Sequence, residues 1–182
     1  MTDDERMQRI KAEIVATAAE AFAAAQFARF GYDVSVQYGA TQPECELIIA
    51  EGGRILKVSV QGSADGSWNF TQSAQSDLST ANHANSYTAA DLWLEGRKAG
   101  TAICLVQLKD VDNGALPRAY LAWPLEIAAK LKAASDGRGD TILWETPPDI
   151  AGAGTAGRLL DEWKMTRERV EELMNGDAAA NP

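Results

Sequence analysis

Two short aliphatic runs joined by a pair of glycines constrain the fold of this chain more than any other feature. Residues 45–50 and 55–61 are both rich in aliphatic and β-branched side chains, as strands that bury one face usually are. Between them, Gly52 and Gly53 are typical of a tight hairpin turn. The pattern predicts two antiparallel strands, with a shorter strand over residues 33–37 ahead of them.

The second of these runs has two chemically different faces. Side chains two residues apart on a strand point the same way, so Lys57, Ser59 and Gln61 should share one face. The leucine and valines between them can then satisfy a buried apolar face. If the hairpin pairs in the required register, this polar set lines the surface that Glu46 of the first run also faces.

Helix and strand signals alternate through the rest of the chain. A long alanine-rich helix is expected over residues 4–30, because proline is absent and Gly31 follows as a C-terminal stop. The order predicts an α/β domain with a central mixed β-sheet, flanked by this helix and by the next one. After the hairpin we expect a short strand within 67–71, a helix over 88–98, strands over 101–108 and 118–123, a helix over 125–133, a short strand over 141–144 and a last helix through 163–174.

The domain organisation follows from the same signals. A chain of 182 residues with 46% hydrophobic residues is long enough for one well-filled core. We expect residues 1–150 to form one α/β domain. Residues 151–175 should form a glycine-containing connector and a C-terminal helix, and residues 176–182 a disordered tail.

The charge balance argues against bulk electrostatic attraction to nucleic acid. The chain has 17 basic and 26 acidic residues, a net charge of −9, and no run of lysines or arginines. Binding to nucleic acid would therefore need a local groove. The N-terminus is neither basic nor apolar, and no apolar stretch is long enough to span a bilayer, so we expect a soluble cytoplasmic protein with no membrane partner.

The cysteines and the single histidine do not form a recognisable metal motif. Cys45 and Cys104 both lie in apolar, strand-like runs, where buried reduced thiols are expected and a disulfide or metal pair is the alternative. His83 stands in a polar segment and is interpreted as a loop residue. A zinc site of the Cys/His type is not predicted.

The order of elements and the spacing of four residues resemble the PD-(D/E)XK nuclease superfamily, the restriction-endonuclease-like proteins that include Holliday-junction resolvases. The resemblance covers roughly residues 15–130. The family's helical acid would be Glu20, and its second-strand acid resembles Glu46 with the apolar residues after it. The family's third-strand acid-x-lysine motif falls on Ser59-Val60-Gln61. This sequence has serine in place of the acid and glutamine in place of the lysine. The strand over 118–123 looks like the late strand of such proteins.

The resemblance implies a restriction-endonuclease-like core with a degenerate active site. Glu20 and Glu46 would be the metal ligands, and they could hold one Mg²⁺ with several waters; without activity no cofactor is expected. Ser59 and Gln61 occupy the positions of a metal-binding acid and a catalytic lysine, yet neither side chain carries a charge. Losing an acid–base contribution costs about 10²–10⁴ in rate. Lys57 could substitute, although its Cα would lie about 13 Å from position 61 along the strand.

Three functional hypotheses remain from the sequence. The first is a nuclease-like domain that is cleavage-deficient and keeps a nucleic-acid-related or other binding role. The second is an active metal-dependent nuclease that uses Glu20, Glu46 and a displaced base. The third is a protein-binding or immunity-type partner on the same scaffold, which the acidic balance favours. A basic groove on the folded surface would favour the first two over the third.

Overall fold

The computed structural model is an α/β fold whose helices and strands follow the expected order. The structure describes residues 3–37, 45–71, 86–97, 99–137, 142–146 and 161–176. Short 3₁₀ turns cover Val111–Asn113 and Asp161–Trp163. The helices and strands are α1 (Asp3–Arg29), β1 (Asp33–Val36), β2 (Leu47–Glu51), β3 (Arg54–Ser63), β4 (Ser67–Asn69), α2 (Ser86–Glu95), β5 (Thr101–Gln107), β6 (Arg118–Ala122), α3 (Pro124–Gly137), β7 (Ile142–Trp144) and α4 (Arg167–Asn175).

Five strands form a central mixed sheet in the order β1-β2-β3-β5-β6. All neighbours are antiparallel except β3 and β5, which are parallel. Parallel neighbours need a crossover connection, and α2 lies within the connection between them. The predicted α/β class with a central mixed sheet is therefore confirmed. The strands β4 and β7 pair separately as a two-stranded antiparallel ribbon.

The sheet is covered by a hydrophobic core on each face. Alternate residues of β3, among them Val58 and Val60, pack against α1 through Ala19, Ala23 and Phe27. The C-terminal helix α4 joins the same cluster through its own apolar residues. On the opposite face, α2, α3 and the β4–β7 ribbon pack over the central strands, and the buried residues of that cluster include Trp68, Trp93, Ile103, Leu105, Ile127, Leu131 and Trp163.

Glycines end α1 and form the hairpin turn, as the sequence predicts. Gly31 has a φ of +93°, and Gly52 and Gly53 have φ values of +57° and +85°. Such positive values are easy for glycine and costly for residues with a Cβ atom. Two consecutive positive φ angles are typical of the type I′ turn that matches the twist of a hairpin.

Three helix boundaries differ from the expectation by three residues or more. The last helix, α4, begins at Arg167 and not at Trp163, because Trp163 ends a separate 3₁₀ turn. α2 ends at Glu95, three residues before the expected end, with Gly96 directly after it. α3 continues to Gly137, four residues beyond the expected end. Ile127, Leu131 and Ala134 are all buried on one side of α3, so its apolar stripe extends past the expected boundary.

The C-terminal helix is held to the sheet by a buried arginine. Arg169 is 5% exposed, and its Nε donates to the backbone carbonyl of Leu121 at 3.1 Å. Its Nη2 lies 2.7 Å from both carboxylate oxygens of Glu126. Glu126 also accepts the N–H of Trp123 at 2.6 Å, which caps the first turn of α3. One carboxylate thus joins the start of α3 to α4.

Several sequence-based expectations concern features outside or at the edge of the described residues. His83, the connector over residues 151–160 and the tail beyond residue 176 lie outside them. Cys45 and Cys104 are both buried, as expected, and neither forms a disulfide within the described part of the chain. Among the helices described, none is both long and apolar enough to cross a membrane.

Candidate functional site

The strand β3 extends beyond the end of its neighbour β2, and this creates an open edge in the middle of the sheet. The pairing of β2 with β3 begins at Leu47 opposite Val58, whereas β3 continues to Ser63. The N–H of Val60 therefore has no partner on β2. The carboxylate of Glu46 accepts it instead, with 2.8 Å between Val60 N and Glu46 Oε2. This bond fixes Glu46 at the open edge of β3.

The helix α1 crosses β3 very closely at the same place. A Cβ atom added to Gly62 would lie 2.9 Å from the Cβ of Ala19 and 2.9 Å from the carbonyl oxygen of Val15. Real Cβ atoms essentially never approach other atoms so closely, so the crossing requires glycine. Because Glu20 directly follows Ala19, the close crossing brings its carboxyl to the edge where Glu46 lies.

Glu20 and Glu46 line one open cavity of about 500 Å³. Burial raises the pKa of Glu20 above its ordinary value, and the negative charge of Glu46 raises it further. The two carboxyl groups therefore interact electrostatically across the cavity. Lys11 of α1 and Gln61 of β3 also line this cavity, so one cationic side chain stands at the same site.

The two third-strand residues differ in where they lie. Gln61 lines the cavity of the two glutamates, and it also lines a second cavity together with Ser59. Strand alternation explains the second location, because Val58 and Val60 face α1 and the residues between them face the other way. The amide of Gln61 donates weakly to the hydroxyl of Ser59, at 3.4 Å. Three of the four predicted site residues thus line one cavity, and Ser59 lies at the neighbouring one.

Glu20 and Glu46 are the two carboxylates at this edge that could take part in holding a cation. In the part of the chain that the structure describes, no group of three or more His, Cys, Asp or Glu residues is placed to hold a metal ion. Mg²⁺ is often bound through one or two carboxylates while it keeps several waters. Glu20 and Glu46 fit such a partial set, although one oxygen of Glu46 already accepts the N–H of Val60. The donor set therefore suits weak, hydrated cation binding.

Asp65 also lines this cavity, but its carboxylate is held by local hydrogen bonds. Its Oδ1 accepts bonds from the Ser63 hydroxyl at 3.1 Å and from the N–H and hydroxyl of Ser67 at 2.9 and 2.8 Å. Burial alone would raise the pKa of Asp65, but these bonds outweigh it and lower the pKa. Asp65 is thus occupied in shaping the turn between β3 and β4.

Lys57, which the sequence left as an alternative base, is placed unfavourably for that role. It is exposed and lies opposite Ile48 and Thr101 in the sheet. It is absent from the described residues that line the cavity of the two glutamates. Lys11 is the cation among the described residues that line this cavity. No sequence signal indicates it, because the position of Lys11 on α1 relative to β3 depends on the tertiary packing.

A buried carboxylate outside this site, that of Glu145, was also not predicted from the sequence. Glu145, just after β7, accepts bonds from Gln107 Nε2 at 2.8 Å, from Arg118 Nε and Nη2 at 2.7 and 2.8 Å, and from the hydroxyl of Tyr120 at 2.7 Å. Burial alone would raise the pKa of Glu145, but these bonds lower it to about 2. With all its donors in place, the group ties the β4–β7 ribbon to β5 and β6. The only sequence signal was an acid directly after an apolar strand.

Comparison with known proteins adds no assignment to this geometry. No protein-family model matches the chain, and neither a curated protein nor a solved structure is significantly similar to it.

Proposed function

We propose that this protein is a nuclease-like domain that does not cleave nucleic acid and that uses the open edge of β3 as a binding site. One observation carries the proposal. Glu20 and Glu46 line a single cavity together with the uncharged Gln61, and the other third-strand position, the uncharged Ser59, lies at the neighbouring cavity. The site therefore keeps the acidic half of a metal-dependent hydrolytic centre without its third-strand acid and lysine.

The physical consequence is a large loss of cleavage rate with a smaller loss of affinity for a cation or a partner. Two carboxylates can still attract a hydrated divalent cation or a cationic group on a partner. The amide of Gln61 cannot take up or release a proton near neutral pH, so it cannot serve as a general base. Loss of a general base alone lowers the rate of cleavage by about 10²–10⁴-fold. A weakly held metal would reduce the rate further.

The charge around this cavity determines whether nucleic acid or a basic protein is the better partner. The chain carries a net charge of −9, so nucleic acid would have to reach the site through a local groove or through a bound cation. Lys11 supplies one positive charge at the cavity. A nucleic-acid-related binding role therefore depends on a divalent cation between Glu20, Glu46 and a phosphate, whereas a basic protein partner would need none.

An active metal-dependent nuclease is the second candidate function. Lys11 favours it, because this lysine lines the same cavity as the two glutamates and could occupy the role that a third-strand lysine has in the superfamily. In that case Lys11→Ala should abolish cleavage as completely as Glu46→Ala does.

The test is a cleavage assay combined with a metal-binding assay. We expect purified protein with Mg²⁺ or Mn²⁺ to leave single- and double-stranded DNA and RNA intact. We also expect Mn²⁺ to bind weakly, as measured by electron paramagnetic resonance, and the binding to disappear in Glu20→Gln and in Glu46→Gln. Robust cleavage that Glu46→Ala abolishes would refute the proposal and establish the active nuclease. Mn²⁺ binding that survives both glutamine changes would place the cation elsewhere.

A further inference from the structure

A second cavity lies at the face of the sheet that is opposite α1. Its volume is about 190 Å³, and it is formed where β3 and β5 run side by side below the end of α2. Ser59 and Gln61 of β3 and Thr101 and Ile103 of β5 line it. The parallel register sets Ser59 opposite Ile103, so these side chains belong to one continuous surface. We propose that this cavity binds a small planar carboxylate, an arenecarboxylate of about the size of benzoate.

Thr101 provides the clearest sign that the cavity takes a polar ligand. The residue is only 7% exposed. Its hydroxyl forms no hydrogen bond with any other residue that the structure describes. Buried hydroxyls in proteins nearly always have a partner, because an unsatisfied one is destabilising. A ligand oxygen in the cavity would supply the acceptor that this hydroxyl lacks.

Arg97 gives the cavity its charge preference. None of the described residues that line the cavity is acidic, and Arg97 is its single cation. Its guanidinium lies 5.3 Å from the ring centroid of Trp93, which holds the group at the cavity by a cation–π contact. No carboxylate of the described residues pairs with it. A carboxylate ligand matches the forked donors of arginine in geometry as well as in charge.

The remaining lining residues favour a flat ligand with one polar end. The side-chain NH₂ of Gln61 makes only one long contact, of 3.4 Å, to the hydroxyl of Ser59. Both the NH₂ group and the oxygen of this side-chain amide can therefore still bind a ligand. Phe70 lines the cavity and packs on Trp93 with 5.1 Å between the ring centroids. This aromatic pair provides a wall for the body of a ring. An apolar protein cavity of about 150 Å³ is known to hold benzene, so the volume here suits benzoate.

This site is independent of the proposed function. The glutamate cavity attracts cations, whereas the second cavity attracts an anion, and the two share only Gln61. Loss of metal binding in Glu20→Gln would therefore leave carboxylate binding unchanged.

The experiment is a titration of the full chain with benzoate, followed by two-dimensional NMR and by tryptophan fluorescence. We expect a Kd on the order of 1 mM or tighter, as a ligand of this size allows. Shift changes should centre on Gln61, Arg97 and Thr101. Benzamide, which has the same shape without the charge, should bind at least about tenfold more weakly.

Three variants make the assignment specific. Arg97→Gln should weaken benzoate binding about tenfold, and Thr101→Val, which keeps the shape of the side chain, about threefold or more. Arg29→Gln is the matched control, because Arg29 also lies over an aromatic ring, that of Phe30, but does not line this cavity. It should bind benzoate as the unchanged protein does. Urea unfolding of each variant separates lost binding from lost folding.

Four results would overturn the proposal. They are the absence of benzoate binding at about 10 mM, equal binding of benzamide and benzoate, unchanged affinity in folded Arg97→Gln, and shift changes that lie away from the cavity. Uridine monophosphate that binds more tightly than benzoate and depends on Arg97 would also overturn the arenecarboxylate class, and it would indicate a nucleotide site instead.

Discussion

The carboxylate of Glu46 accepts the backbone N–H of Val60 at 2.8 Å, at the point where β2 no longer covers β3. One side chain therefore has two roles. It accepts a hydrogen bond from a central strand, and it supplies one of the carboxylates of the cavity that Glu20 also lines. The proposed binding role would therefore share this residue with the stability of the sheet.

Glu46→Ala should destabilise the protein more than Glu46→Gln does. Alanine leaves the N–H of Val60 without an acceptor, and a partly buried unsatisfied donor costs about 1–3 kcal/mol. Glutamine keeps an acceptor oxygen and removes only the charge. Urea unfolding monitored by tryptophan fluorescence gives both free energies of unfolding. Equal stability of the two variants would show that the bond to Val60 contributes little.

Glu20 should titrate above the ordinary range, and Glu46→Gln should lower its pKa. Burial raises the pKa of Glu20 first, and the charge of Glu46 adds to the effect, so removing that charge leaves only the burial contribution. Carboxyl ¹³C chemical shifts followed against pH measure the change directly. A pKa of Glu20 that is identical in both proteins would mean that the two carboxyl groups do not interact.

The same raised pKa predicts the pH dependence of stability. Between the unfolded and folded pKa values of Glu20, the native protein binds more protons than the unfolded chain, so stability falls as pH rises through this window. Glu20→Gln removes that cost. The variant should be more stable than the unchanged protein at pH 7 and equally stable well below the unfolded value of 4.5. Urea midpoints at several pH values test this, and a stability gain that persists unchanged at low pH would contradict it.

Glu145 should show the opposite pH dependence. Its pKa falls from 4.5 to about 2 on folding, so its contribution is fully present above 4.5 and is lost as pH falls towards 2. At pH 7 a shift of this size is worth on the order of 3 kcal/mol, and screening by solvent at this partly exposed site lowers the contribution to about 2 kcal/mol. Glu145→Gln should therefore destabilise the protein at pH 7 and much less at pH 3. Glu95→Gln, at an exposed position, is the control and should stay within about 0.5 kcal/mol at both pH values.

Local sequence signals predicted most of the fold. Gly31 and the pair Gly52 and Gly53 marked the end of α1 and the hairpin, and all three have the positive φ angles that such turns need. The alternation along β3 predicted which side chains are buried, and Leu56, Val58 and Val60 are buried as expected. These features depend on neighbours in sequence, so they can be predicted without knowing the tertiary contacts.

The candidate sites were harder to predict, because they depend on distant contacts. Glu145 bonds to Arg118, 27 residues away, and to Gln107, 38 residues away, and no periodic pattern relates them. β2 begins only at Leu47, opposite Val58, which leaves the N–H of Val60 to Glu46, and this starting point is set by the pairing register. Whether Glu20 and Glu46 act on a metal stays a prediction. The structure does place both at one cavity.

Gly62→Ala should loosen the crossing of α1 over β3. The new Cβ atom would lie 2.9 Å from Ala19 Cβ and from the carbonyl of Val15, and backbone cannot move aside as easily as a flexible side chain. Overpacking of this kind costs about 1–3 kcal/mol. Because Glu20 follows Ala19 on the displaced turn, its pKa should also move towards the ordinary value as burial decreases. Gly96→Ala is the matched control, since its nearest contact would be an ordinary 3.5 Å to the carbonyl of Trp93. Urea unfolding and carboxyl titration of both variants measure the two effects. A Gly62→Ala protein as stable as the control would show that α1 can shift at no cost, and the close crossing would then not be what positions Glu20.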